Sequence, residues 1–563
     1  GQAGLFPLVL VLVPSGARLR LRRPLWKGTV FDIPLVFFLL TAFAATWFAY
    51  DREAAWAKWW LIVAGLFAFY ALARQPVRNV WAVATSLGCL STAAAVYFLF
   101  THDWLAYPAK FDGLRALVAP WMALRPGLGL PQLHPNVMAS LVALLSPYLV
   151  VAAARARRLE QRWLWRAAVI ALVVNGGTLL LAASRGAVVA LLAAVLLWVV
   201  WQAGVSAGRR LDVPPLAISV LLVLAALLLL APAAGAAGGP LALLDGLPGP
   251  ASASNRATLA QQTAALIADY PLIGGGLASF PGLYSHYSLV IPHYMLPNGH
   301  NIFLDVWLEQ GILGLLGLLV VLGGSFWLLA RGSQAGRQQA DGFGALRWAI
   351  ASSMLVILVH GLVEDTVYGS VALPVLFAGP GLAVALKPAA PRVAWRRFVP
   401  VVAVAAALLF VLPTMRARWH ANWGAVQMAR VELSGWPTNQ WSDGHGAAAL
   451  APAESHFRRS LALDPGNRTA HHRLGLAAMA RHEYSVAIQH LKRARALDRK
   501  HAGIRKALAY STLWSGDVEA AVPLLAETPG ASVEIESYVR WWRTQERADL
   551  SRLAQQAARQ LDP

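Results

Sequence analysis

Residues 299–330 read GHNIFLDVWLEQGILGLLGLLVVLGGSFWLLA. After Gly299-His300-Asn301 the run stays apolar for long enough to cross a bilayer core, which takes about 20 residues at 1.5 Å each. Its only acidic residues are Asp305 and Glu309, and it contains no Lys or Arg. A polar turn that feeds straight into an apolar helix puts a titratable ring at a membrane–water boundary.

Further apolar runs lie at 3–15, 32–50, 57–73, 79–100, 135–153, 167–183, 186–204, 214–232, 348–363, 369–387 and 398–414. Window length therefore predicts an all-α polytopic membrane protein of roughly twelve transmembrane helices. Composition agrees: of 563 residues, 57% are hydrophobic and only 13% charged, whereas soluble domains carry about a quarter charged residues. The net charge of +20 sits largely in short arginine clusters between apolar runs, which suits anionic lipid and gives no reason to expect nucleic acid. The single cysteine, Cys89, excludes an intramolecular disulfide. The chain opens on Gly1 and its first apolar run is short, which suggests a missing or processed N-terminus.

Placing Arg18–Lys27 in the cytoplasm also puts Arg74/Arg78, Arg155–Arg162, Arg209/Arg210, Arg331/Arg337 and Arg392–Arg397 there. The loop 233–300 and everything beyond Arg416 then lie outside. The expected division is a membrane domain, 1–418, and a soluble helical domain, 419–563. In the latter, Ala462-Leu463-Asp464 recurs as Ala496-Leu497-Asp498, an offset of 34 residues, with Leu474 matching Leu508 and Ala487 matching Ala521. That period is the tetratricopeptide signature, an α-solenoid that offers a concave surface to a protein partner.

Polar side chains gather around the loop. Arg256 follows Ser254-Asn255, an expected N-cap pair, and a guanidinium beside a helix N-terminus can hold a phosphate or diphosphate. A helix N-terminus disfavours an imidazolium, so His300 is expected to accept a proton and to act as a general base. His286 and His293 compete for that role, and the three histidines lack the Cys or carboxylate partners of a metal site, so neither metal nor cofactor is expected. Arg185, in Ser184-Arg185-Gly186, interrupts nearly forty apolar residues, where a charge usually faces a cavity or partner. Asn136, Asn301 and Glu309 are weaker members. Glu364-Asp365 and His360 mark another outer turn with no assigned role.

Arg256, Tyr270-Pro271-Leu272-Ile273-Gly274-Gly275-Gly276 and His300-Asn301 through Glu309-Gln310-Gly311 resemble the motifs of the O-antigen ligase and polymerase superfamily. Its members include lipopolysaccharide O-antigen ligases, Wzy-type polymerases and bacterial protein O-oligosaccharyltransferases. Ser184-Arg185-Gly186 and Pro135-Asn136 look like its upstream motifs, so the resemblance spans about residues 30–390. It implies a metal-independent glycosyltransferase in the bacterial inner membrane, working on the periplasmic face. The donor would be a polyprenyl-diphosphate-linked glycan and the acceptor a lipid or protein. His300 would be the base; Arg185 and Arg256 would hold the diphosphate, with Asn136, Asn301 and Glu309 binding substrate. No paired carboxylates suggest a glycosyl-enzyme, so direct displacement with inversion is expected. Rival readings are a Wzy-type polymerase and a transporter with a docking domain. The loop 233–300 is less basic than is usual in the family, having only Asp245, Arg256 and Asp269 as charged residues.

Overall fold

A computed structural model describes residues 28–104, 120–125, 129–211, 253–288, 296–334, 343–386, 410–437, 448–528 and 530–561, with a few isolated positions besides. It is all-α. Seven helices among the described residues are long and apolar enough to cross a membrane, rather than the expected twelve or so. They are α2 (Arg52–Ala73), α3 (Val77–Thr101), α4 (Pro135–Arg158), α5 (Arg162–Ala182), α6 (Arg185–Leu211), α9 (Ile302–Gln334) and α10 (Phe343–Gly361). The first apolar helix, α1 (Asp32–Phe48), is shorter. The runs expected at 3–15 and 214–232, and most of 398–414, lie outside the described residues.

The expected span at 369–387 is a different object. A 3-10 turn, Leu373–Phe377, leads into the short α11 (Ala378–Ala385). Pro374 and Pro380 remove amide donors from this segment, and Gly379 and Gly381 let it press closely on its neighbours. A Cβ at Gly381 would lie 2.9 Å from the Phe69 carbonyl oxygen of α2. Such irregular backbone persists within a membrane domain because protein covers it.

α4 packs between α3 and α5, α9 lies along α1, and α10 packs on α4 and α6. α5 and α6 carry the apolar outer face: Trp163, Ile170, Val173, Leu180 and Leu192 are each more than 60% exposed. A contiguous surface of that kind suits lipid.

α9 is one helix by length and two by backbone. Gly311 has φ 73° and ψ −177°, which breaks it just after Glu309-Gln310. The segment Tyr270–Gly276 fills the gap. Gly275 N–H donates to the Leu308 carbonyl (2.6 Å), Gly276 N–H to that of Glu309 (3.3 Å), and Ile312 N–H to that of Pro271 (3.2 Å). Helix carbonyls freed by the break are thus satisfied by a loop, as buried backbone requires. Positive φ at Gly274 (78°) and Gly276 (112°) lets the loop lie this close.

Beyond Leu412 the chain forms α12 (Pro413–Glu432), α13 (Ala451–Leu463), α14 (Arg468–Ala480), α15 (Tyr484–Leu497), α16 (Ala502–Trp514), α17 (Val518–Ala526), α18 (Ala531–Thr544) and α19 (Ala548–Leu561). Arg468 and Ala502 open equivalent helices, as do Tyr484 and Val518, at the offset between the two Ala-Leu-Asp copies. Asp464 and Asp498 share one extended conformation, and Asn467 and His501 each accept from an amide three residues on.

These helices are joined to the membrane-domain loop by a shared core. Leu266, Tyr270 and Phe280 pack in one cluster with Ala425, Phe457 and Leu474. Two polar ties reinforce it. Asn422, fully buried, accepts from the Leu272 and Ile273 amides (3.0 and 3.1 Å) and donates to the Gly274 carbonyl (3.2 Å). Asp269 is also fully buried and pairs with Arg468 and Arg473, each at 2.9 Å, while Thr469 donates its hydroxyl proton at 2.8 Å.

Candidate active site

Four chain segments meet at one end of the bundle: the start of α4, α7 (Ala253–Ile267), the turn before α9, and the turn after α10. The turn before α9 is built by its own side chains. Asn298 Oδ1 accepts from the His300 amide (3.1 Å), and Asn301 Oδ1 accepts from those of Phe303 and Leu304 (3.0 and 3.1 Å). Gly299 N–H donates to both oxygens of Asp305, and a Cβ there would meet Asp305, Phe280 and Thr263. His300 is thereby held at φ 53°, a conformation that non-glycine residues rarely adopt.

Glu364 is the centre of the cluster. One oxygen lies 2.5 Å from His300 Nδ1; the other accepts from Arg256 Nη2 (3.0 Å) and Asn136 Nδ2 (2.8 Å). The carboxylate is 6% exposed, so its partners, rather than water, set its charge. Burial pushes the Glu364 carboxyl up, but the His300 hydrogen bond and charge, then Arg256 and His360, hold it below its usual range. A carboxylate on Nδ1 favours the tautomer with the proton there and leaves Nε2 as the accepting atom.

Arg256 sits in the first turn of α7, half-buried; its Nη1 has no hydrogen-bond partner among the described residues. The helix starts at Ala253, so Ser254 and Asn255 lie inside its first turn instead of capping it. Arg185 opens α6 after a left-handed Ala183. Beside it, Gly186 packs on the His360 ring, where a Cβ would approach to 2.8 Å. His360 Nδ1 lies 3.1 Å from Ser140 Oγ, one turn along α4 from Asn136. The backbone at Arg185 thus borders the same cluster.

The other two expected binders have partners within the protein. The Asn301 carbonyl oxygen caps α9 and its amide donates to the Leu362 carbonyl (3.0 Å), tying the two turns together. Glu309 is 3% exposed and neutralised by Lys58 of α2, whose Nζ is 2.8 Å from one oxygen and 2.9 Å from the other. Tyr368 donates to Glu309 at 2.6 Å, and the Lys58 ammonium lies 3.8 Å from the Tyr368 ring centroid. Asp365, next to Glu364, is completely buried, and burial followed by the charge of Asp305 pushes its carboxyl well above the usual range. His286 lies in α8 (Phe280–Ser288), with its side chain outside the described residues, as is all of His293.

Residues 167–319 match the O-antigen ligase family. The matched stretch includes Arg185, Arg256, His300, Asn301 and Glu309, while Asn136 and Glu364 lie outside it. No curated protein and no solved structure matches the chain. The protein is therefore a polytopic membrane protein with an O-antigen-ligase-type domain, and that domain supports an enzymatic activity of this general type.

One further group has the makings of metal ligands: Asp269, His472 and His501, whose ligating atoms lie within 4.8 Å of one another. The donor set does not fit a cation. Asp269 is already paired with two arginines, and His501 Nδ1 accepts from the Ile504 amide (3.1 Å), which leaves the ring proton on Nε2.

Proposed function

We propose that this protein is a membrane glycosyltransferase that moves a glycan from a polyprenyl-diphosphate donor to an acceptor hydroxyl. The observation that carries the reading is the Glu364–His300 pair beside Arg256, within a domain matched to the O-antigen ligases. Glu364 fixes the imidazole, and Nε2 takes the proton of the acceptor hydroxyl. The acceptor oxygen bonds to the anomeric carbon as the bond from that carbon to the diphosphate oxygen breaks. The departing diphosphate keeps the electron pair, and the guanidinium groups of Arg256 and Arg185 meet its charge. Both Glu364 oxygens are engaged, so the carboxylate is an orienting group here and the displacement is single and inverting. The leaving charge and the proton are both handled by side chains, so transfer is expected to persist in EDTA.

Asn136 orients Glu364, while Asn301 and Glu309 act through the placement of α9. The basic turns at Arg74/Arg78 and Arg155–Arg162 lie at the other end of the helices, which supports a site on the outer face of the bacterial cytoplasmic membrane. The paired helices α13–α17, with their recurring caps, support a tetratricopeptide-like module that receives a protein acceptor or partner.

The test uses purified protein in vesicles with a polyprenyl-diphosphate glycan and candidate lipid and peptide acceptors. The expected result is a new glycosidic bond with inverted anomeric configuration, unaffected by EDTA. Glycan crossing the vesicle wall without a new bond would replace this reading with the transporter. A retained configuration would remove the single-displacement mechanism.

A further inference from the structure

A cavity of about 510 Å³, which shares no lining residue with the Glu364 cluster, lies where α7 and α9 meet the C-terminal helices. One wall is apolar: Ile267 at the end of α7, with Leu304 and Trp307 from the first two turns of α9. The facing wall is polar, with Arg418 from the first turns of α12 and Asp464 and Arg468 from the α13–α14 junction. Trp307 is fixed there, since its ring N–H donates to the Pro271 carbonyl at 2.9 Å.

The charges on the polar wall do not cancel. Asp269 is enclosed and answered by Arg468 and Arg473. Asp464 accepts from the Gly466 amide at 3.0 Å. Arg418 is exposed and forms no ion pair among the described residues. Arg468 gives Nη2 to Asp269 and leaves Nη1, buried, without a hydrogen-bond partner. Counting Arg473, three guanidinium groups face only the two carboxylates of Asp269 and Asp464, so the wall carries one positive charge that lacks an anion.

The level of the cavity decides between anions. α9 enters its apolar span at Ile302, so Leu304 and Trp307 stand at the edge of the hydrocarbon region, where tryptophan belts and arginine side chains meet headgroups. Arg418 follows the apolar stretch that ends at Leu412. A free phosphate would use the arginines and leave the apolar wall wet. A phosphate carrying acyl chains would use both walls.

We propose that this cavity binds the phosphate-bearing headgroup of an anionic lipid at the outer bilayer edge. The headgroup sits against Arg418 and Arg468, and the start of its chains lies along Leu304 and Trp307. The shared chemistry is a phosphate ester, and the lipid rather than a soluble phosphate is its source. The site bridges α9, α12 and α14, so occupancy ties the C-terminal helices to the membrane surface. It stands independently of the reaction proposed above.

The test is photo-crosslinking of the purified full-length protein with a photoreactive phosphatidylglycerol, using an uncharged photoreactive diacylglycerol as control. Phosphatidylglycerol label is expected on peptides covering 264–271, 304–307 and 418–421. Arg418→Gln should lower it there about fivefold, the size of one arginine–headgroup contact. Arg499→Gln, on an exposed residue elsewhere, should leave it unchanged. Equal labelling by diacylglycerol, or no loss in Arg418→Gln, would overturn the proposal. Inorganic phosphate that displaces the label and binds wild type but not Arg418→Gln would overturn the lipid source. Label confined to other helices in the wild type would remove the site altogether.

Discussion

At the scale of single residues, Glu364 explains why three side chains far apart in sequence act together. Its two oxygens serve His300, Arg256 and Asn136. Arg256, His300 and Asn136 were legible because each stands out locally: an arginine opening a helix, a histidine at a helix start, a polar residue at the head of an apolar run. Glu364 was visible only as an acidic turn, since nothing within a short window reveals a partner 64 or 228 residues away. Lys58 left a signal that could have been used, a lone lysine inside an apolar helix, which calls for a counter-charge such as Glu309. Replacing Glu364 by Gln keeps the shape and removes the charge that fixes the imidazole. Turnover is expected to fall by about 10²–10⁴-fold, as for general-base catalysis lost through the wrong tautomer. Initial rates at saturating donor would show it, and an unchanged rate would deny Glu364 its orienting role. A carboxyl held below its ordinary value of 4.5 contributes stability above that pH and loses it as pH falls toward the lowered value. Thermal stability should therefore hold through neutral pH and fall in acid below about 4.5, and Glu364→Gln should flatten that fall.

At the scale of elements, the break in α9 is the feature that the sequence hid. Glycine is common in membrane helices, so Gly311 does not by itself mark a break in the apolar run from 301 to 330. The Tyr270–Gly276 motif was visible as a motif, but its partner, the opened turn at Leu308–Gly311, was not. An alanine at 311 would have to adopt φ 73° with its Cβ against the Leu272 carbonyl. Gly311→Ala is expected to cost about 3 kcal/mol or more, because strain at a special φ adds to a backbone clash. Thermal unfolding in detergent would report it as a lowered midpoint. Asn422→Ala removes three hydrogen bonds from buried backbone and should cost on the order of 3 kcal/mol, since orphaned donors carry most of the penalty. Hydrogen exchange should then quicken at Leu272 and Ile273 before it changes elsewhere. The span expected at 369–387 failed for a reason that can be read: Pro374, Pro380 and the glycines at 379 and 381 oppose a continuous helix, although the composition stays apolar.

At the scale of the molecule, composition and arginine spacing were enough for an all-α membrane protein, whereas the union of its two halves was not legible. Asp269 looked like an ordinary loop charge, yet it is fully buried between Arg468 and Arg473. Asp269→Asn would leave two buried arginines uncompensated, a loss of about 3–5 kcal/mol for a broken buried pair. A lowered midpoint of thermal unfolding in detergent would register the loss. The same junction should respond to acid through its histidines. Burial holds His472 well below 6.5 and brings His501 from 6.5 to about 4. A histidine buried neutral favours the folded form less and less as pH falls from 6.5 toward the lowered value, because the opened form takes up the proton first. Hydrogen-exchange protection factors across 269–276, which divide out the intrinsic pH dependence, are therefore expected to fall from pH 6.5 toward about 4, with His501→Gln flattening the fall.

In the proposed reaction His300, held by Glu364, removes the acceptor proton. The most direct measurement of that step is single-turnover glycan transfer from a polyprenyl-diphosphate donor by purified wild type and His300→Ala, with donor affinity determined for both. Transfer is expected to fall at least about 10²-fold in the variant while donor affinity is unchanged, because the arginines proposed to hold the diphosphate remain. Transfer at the wild-type rate in His300→Ala would contradict it.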